Sequence, residues 1–236
     1  VTLTEFPGAA RVLAAQAVAL PQPDQLCGPF SASVALAGIL DDGIPTVTAL
    51  ALASGSTLWP GDIPRARPPR VPVTRDGWNV LPIAGTPEEA GTDAARLAAG
   101  IETLTEHRVS VIPVARPGVI DLRRLLGELL DRTIEFALLA NVRTGPIVES
   151  DWDVGHFVVL WAFDQTTGDV AVADTYAELG VAGLPAGCRL VGSNALAEAM
   201  SADGGRGLLL LVPTLEHGAA LDLAGDLGLR TEVWST

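Results

Sequence analysis

The chain has 236 residues, 48% of them apolar, and a formal charge of −13. That is enough apolar material for one large domain, or two small halves sharing a core, and it argues against disorder. The charge argues against nucleic acid, whose phosphates need clustered Lys and Arg, and it would repel anionic membranes and polyanionic substrates.

All 15 basic residues are Arg. With no lysine, Schiff-base chemistry and a phosphate-loop lysine are ruled out. The two cysteines, Cys27 and Cys188, are too few for a disulfide framework in a chain of this size. The stretch Ala9 to Leu20 is apolar but interrupted by Arg11 and Gln16, and it is too short to span a bilayer. The expectation is a soluble, cytoplasmic protein.

In chain order, residues 9–20 read as an Ala-, Val- and Leu-rich helix, followed by the turn Pro21-Gln22-Pro23-Asp24. A second helix is expected from Cys27 to Leu40, with Pro29 in its first turn, where a missing N–H costs nothing. Pro45 opens a third, through Ala53. Residues 54–82 are the least regular, with six prolines (60, 64, 68, 69, 72 and 82) and two tryptophans, Trp59 and Trp78. Such an excursion is either a lid or substrate-facing wall, or a long loop pinned by its aromatic rings.

Thr86-Pro87-Glu88-Glu89 carries the marks of a helix start, and the pattern runs to about Glu106. A strand is expected over 108–114, an amphipathic helix over 121–130 and a buried strand over 134–142. Strands 157–163 and 170–173 flank Asp164–Gly168 as a hairpin. A short helix over 193–200 and a buried strand over 207–212 follow, and the tail from Thr214 is weakly patterned. Helices first and strands later indicate an α+β fold with an antiparallel sheet.

Chemistry concentrates at three places. Cys27 opens a helix, where unpaired N–H groups favour the thiolate. His156 opens a strand in Gly155-His156-Phe157, and Asp174 ends the next. Histidine can take the thiol proton, and a carboxylate on its other nitrogen fixes the ring. With a five-residue hairpin loop, Phe163 would pair with Asp169 and Asp174 would lie opposite Val158, diagonal to His156. A two- or four-residue loop would turn Asp174 to the wrong face unless a bulge corrected it. Asp151, Asp153 and Asn141 are fallback partners for His156. An oxyanion needs donors; the Cys27 backbone N–H is one, and Gln22 is better placed than Gln25 to be the other.

The dispersed His and Cys residues offer no metal-ligand spacing, and no cofactor is implied. Gly204-Gly205-Arg206-Gly207 precedes a strand, unlike a phosphate loop. Cys188 reads as an incidental or structural thiol.

At Gln22…Cys27-Gly28-Pro29 followed by Ser31-Ala-Ser-Val-Ala-Leu, and at Gly155-His156-Phe-Val-Val-Leu followed by Val-Ala-Asp174, the chain resembles the papain-like cysteine peptidase superfamily. It looks closest to the branch of C39-like bacteriocin-processing peptidases and phytochelatin synthases. The matched segments are roughly residues 20–40 and 154–176. In those families the oxyanion glutamine lies one residue further from the cysteine than Gln22 does. The resemblance implies a single papain-like domain: a helical half over about 1–107 with the nucleophile, a sheet half over about 108–213 with His156 and Asp174, and a tail over 214–236. It implies catalytic Cys27, His156, Asp174 and Gln22, with Gly28, Gly155, Trp59 and Trp78 against a peptide or small acyl or amide substrate. The expected activity is acyl transfer through an acyl-enzyme, to water or to an amine. The shifted glutamine leaves an inactive, peptide-binding relative as the alternative.

Overall fold

Along the central strands successive side chains enter two different cores, which shows a sheet buried on both faces. In strand β3 (Ala137–Arg143), Ala137 and Leu139 belong to one core and Leu138, Ala140 and Val142 to the other. The computed structural model describes residues 2–61, 63, 66–69, 71–148, 151–203 and 205–234. Pro64 of the proline-rich stretch and Gly204 of the glycine run fall outside them.

The other strands are β1 (Thr4–Glu5), β2 (Val109–Ala115), β4 (Gly155–Phe163), β5 (Asp169–Ala173), β6 (Cys188–Gly192) and β7 (Gly207–Pro213). They form one sheet in the order β2-β7-β3-β4-β5-β6, with β1 beside the end of β4. Every pairing is antiparallel. With its helices, this is an α+β fold. Helices α1 (Ala9–Ala19), α2 (Cys27–Leu36), α3 (Val47–Ala53) and α4 (Ala94–Leu104) contribute to the core on one face. Helices α5 (Val119–Leu130), α6 (Ser193–Ser201) and α7 (His217–Asp226) cover the other. Among the described residues no helix is long and apolar enough to cross a membrane.

Helix α2 is apolar nearly all round, and eight of its ten residues are buried. It is therefore a central helix, wedged between the sheet and its neighbours α1, α3 and α4. It ends at Leu36, short of the expected Leu40.

Two expectations need correction, and one strand is new. The helix expected from Thr86 is only a short 3-10 turn, Pro87–Glu89. Gly91 then takes φ +122, which a helix cannot continue through, and Asp93 caps α4 afresh by accepting from the Arg96 N–H. The tail from 214 holds α7, whose buried face is just Ala220, Leu223 and Ala224. Strand β6 is the new one: its second residue is the charged Arg189, which is nonetheless buried. Residues 54–82 make two isolated bridges, Thr57 to Gly91 and Leu58 to Ile83.

The hairpin differs instructively. Phe163 faces Val170, not Asp169, and the Asp164 N–H donates to the Asp169 carbonyl. The turn is thus the four residues Gln165–Gly168, the length that would misdirect Asp174. A bulge between Leu160 and Ala162 shifts the register by one residue, so that Leu160 faces Val172 and Val159 faces Ala173. Continued one step, that register sets Asp174 level with Val158, on the face it needs.

Candidate functional site

Cys27 is the first residue of α2, and the residue before it, Leu26, offers no side-chain cap. The first-turn N–H groups therefore remain available to an anion. One turn on, the Ser31 hydroxyl donates to the Phe157 carbonyl oxygen at 3.0 Å, which pins this helix end against the start of β4. His156, the residue before Phe157, is 2% exposed. Its Nε2 lies 3.1 Å from Asp174 Oδ1 and 3.3 Å from the Thr175 hydroxyl. Cys27 lies beside the same cleft and acts on the imidazole, for which Nδ1 is the remaining ring nitrogen. Cys27 and His156 thus meet at one cleft, with Asp174 paired to the imidazole behind them.

Asp174 is fully buried and held from several sides. Arg189 Nη1 donates to its Oδ2 at 2.8 Å, and the Tyr176 N–H reaches Oδ1 at 3.3 Å. Gln16 Nε2 donates to its backbone carbonyl. Aromatic rings enclose the imidazole. Tyr176 stacks on it at 5.9 Å between ring centres, and Trp152 meets it edge-on at 5.0 Å.

The electrostatics follow from this packing. Burial alone would raise the Cys27 thiol, but the hydrogen bond and charge of His156 outweigh it, and the thiol lies below its ordinary value. Burial would lower His156, but the Asp174 carboxylate and Cys27 reverse this and lift it to about 9. Asp174 itself is opposed by burial, yet His156 and Arg189 hold it below the usual carboxylate range. Thiolate and imidazolium are the forms these surroundings favour. Cys188 is the contrast: free, buried in β6, and pushed by burial to about 11.

Cys27 is partly exposed and opens on a cleft of about 500 Å³. Gln22, Gly155, His156, Tyr176 and Arg206 also line it. Gln22 Nε2 donates to the Tyr176 hydroxyl at 2.9 Å, which leaves its second hydrogen free to aim elsewhere. Gln25 is committed: it accepts from the Trp59 N–H at 2.8 Å and donates to the Trp59 carbonyl at 3.0 Å.

The other expected site residues fall differently. Gly28 does not line the cleft. It is buried where α2 meets Leu97 and Phe157, and a Cβ there would lie 3.3 Å from each. Trp59 and Trp78 do not line it either. Trp78 Nε1 donates to the Asp24 carbonyl, the Asp24 N–H to Thr74, and the Thr74 hydroxyl to Gln22. The excursion thereby braces the segment before Cys27, and its Ile63 and Ala66 reach the cleft wall. Of the fallback partners for His156, Asp153 pairs with Arg143, Asn141 accepts from Arg206, and Asp151 is exposed.

Sequence reasoning missed Arg189, Tyr176, Trp152 and Arg206. Tyr176 carried one signal: it is the sole tyrosine of the chain and stands two residues after Asp174. The arginines carried none, because their neighbours come from distant strands. Among the described residues no group of three or more His, Cys, Asp or Glu could hold a metal ion.

Fold and site together define an α+β protein with a cysteine, a histidine and a carboxylate linked beside a cleft. The chain belongs to a family of unknown function, DUF6885, whose pattern matches residues 6–150 and 144–235. No curated protein matches it.

Proposed function

We propose that this protein is a papain-like cysteine-nucleophile enzyme that transfers an acyl group through a covalent acyl-enzyme. The observation that carries the reading is the meeting of Cys27 and His156 at one cleft, with the buried Asp174 paired to the imidazole. In the proposed reaction the Cys27 thiolate attacks the carbonyl carbon of an amide or thioester. The oxyanion is met by first-turn N–H groups of α2 and by the second hydrogen of Gln22 Nε2. His156 gives its Nδ1 proton to the departing amine or thiol as the bond to carbon breaks. Asp174 keeps Nε2 engaged and the ring in plane. Water or an amine then attacks the thioester, His156 takes the incoming proton, and Cys27 is released as thiolate.

The surroundings suit those roles. Trp152 and Tyr176 keep bulk water from the imidazole, which strengthens its pairing with Asp174. The buried Arg189 keeps Asp174 charged, so that His156 can stay protonated in the resting pair.

The test is alkylation by iodoacetamide at mildly acidic pH, read by intact mass, followed by incubation with a panel of peptides and acyl thioesters. The expected result is rapid, single labelling at Cys27 that is lost in His156→Ala, and an acyl adduct with some panel members. Labelling no faster than that of the unfolded chain would overturn the reading and favour a peptide-binding relative without activity.

A further inference from the structure

Arg206 is only 9% exposed, and its Nη1 donates to Asn141 Oδ1 at 2.7 Å. That acceptor is neutral. Arg206 Nε has no hydrogen-bond partner. The nearby carboxylates are engaged elsewhere: Asp153 and Asp203 each lie 2.9 Å from Arg143 Nε. The second buried arginine, Arg189, makes the contrast plain, because Asp174 neutralises it at 2.8 Å. A buried guanidinium whose one direct side-chain partner is a neutral amide, with the charges of Asp203, Cys27 and Asp153 acting only from further off, is costly to hold. A ligand that brings a negative charge would offset that cost.

Position gives the charge a use. Arg206 lines the same cleft as Cys27 and His156. It lies against Gly155, where an added Cβ would sit 2.9 Å from Nη1 and 3.0 Å from Nη2. The missing side chain at 155 is what lets the guanidinium rest beside the backbone next to His156. With a formal charge of −13, the protein surface repels anions in general, so a cation inside the cleft would select them there.

Building on the acyl-transfer reading, we infer that Arg206, held by Asn141 and seated on Gly155, is an anion subsite that selects substrates bearing a carboxylate near the bond Cys27 attacks. The planar fork suits a carboxylate, which it can meet with two parallel hydrogen bonds. Glu88, on the cleft wall, carries the opposite charge and would disfavour an anion placed toward it. The substrate class is then an acidic acyl compound or peptide, with its carboxylate directed toward Arg206.

The test uses paired alkylating probes that differ in one charge: iodoacetate against iodoacetamide, and iodoacetylglycine against iodoacetylglycinamide. In each, the thiolate sulfur bonds to the CH₂ carbon and iodide leaves. The acid-to-amide rate ratio at Cys27 is compared with that of a small free thiol. The expected result is a ratio about tenfold above the free thiol for at least one pair, returning to the free-thiol value in Arg206→Gln, as loss of a charge-assisted contact predicts. A ratio at or below the free-thiol value for both pairs in the native protein would overturn the inference, whether or not the variant folds. Slow labelling by the amide probes would overturn the acyl-transfer reading instead. The subsite is then read in Cys27→Ala, which has no nucleophile. N-acetylglycine, but not N-acetylglycinamide, should raise its melting temperature, and equal effects of the two would overturn the inference.

Discussion

Ser31 and Phe157 are joined across the helix–sheet boundary by a 3.0 Å hydrogen bond from hydroxyl to carbonyl. Residues four apart share one face of a helix, so the bond sits on the same side of α2 as Cys27, one turn deeper. On the strand side it sits beside His156. One buried contact therefore sets the spacing of sulfur and imidazole.

Ser31→Ala removes that donor and leaves a buried carbonyl without it. The expected loss is about 1–3 kcal/mol of stability, the usual cost of a stranded buried acceptor. Denaturant titration reads this. The Cys27 alkylation rate should also fall under conditions where the variant is fully folded. An unchanged rate in a folded variant would show that the bond does not set the pair.

Arg189→Met strips the cation from Asp174. Breaking one side of a buried ion pair costs about 3–5 kcal/mol. The sign with pH follows from the direction of the shift. Asp174 lies below its ordinary 3.8 in the folded protein, so its contribution to stability is present above 3.8 and is lost as pH falls through the folded value. Without Arg189 the folded value rises, and the acid-unfolding midpoint should move to higher pH. Circular dichroism during acid titration checks this, and an unmoved midpoint in a folded variant would contradict the role given to Arg189.

The opposite shifts of Cys27 and His156 define a window for turnover. Cys27 is held below its ordinary 9.0, and His156 is raised from 6.5 to about 9. Alkylation should persist well below pH 9 and fall only as the pair takes up a second proton. Acyl transfer needs the imidazolium proton as well, so its rate should decline as pH rises through about 9 while alkylation does not. The two profiles measured side by side separate these limits. Parallel profiles at alkaline pH would count against His156 as the acid.

Gln22→Ala should separate activation from oxyanion binding. Removing one such donor costs roughly 10²–10³ in turnover elsewhere. The thiolate depends on His156 and not on Gln22, so iodoacetamide labelling should stay near the native rate. Tyr176→Phe should weaken turnover less, because it frees the Gln22 amide without deleting it. Equal losses of labelling and turnover in Gln22→Ala would place its effect on the thiol instead.

The three central residues were legible because each announces itself locally. Cys27 begins an apolar helix, His156 begins an apolar strand, and Asp174 closes another. The supports were not legible. Arg189 is a charged side chain of a type that is mostly exposed, and the Asp174 carboxylate is what pairs it in the interior. Trp78 left a substrate wall and an anchor equally open, and its indole reaches back to the Asp24 carbonyl and pins the chain entering α2. The hairpin shows the limit most clearly. Its loop length is not evident from Asp164–Gly168, and the bulge near Trp161 that restores Asp174 to its face leaves no mark in composition.

By itself the sequence determined the α+β class, the apolar runs that become α2 and β4, and the candidate residues Cys27, His156 and Asp174. Those are properties of periodicity and of local chain preference. Only the tertiary structure decided that Asp174 sits level with Val158, that Arg189 neutralises it, and that Arg206 is left facing the cleft beside Gly155. Register shifts and buried charge pairing depend on strands far apart along the chain, and their energies exist only once those strands meet.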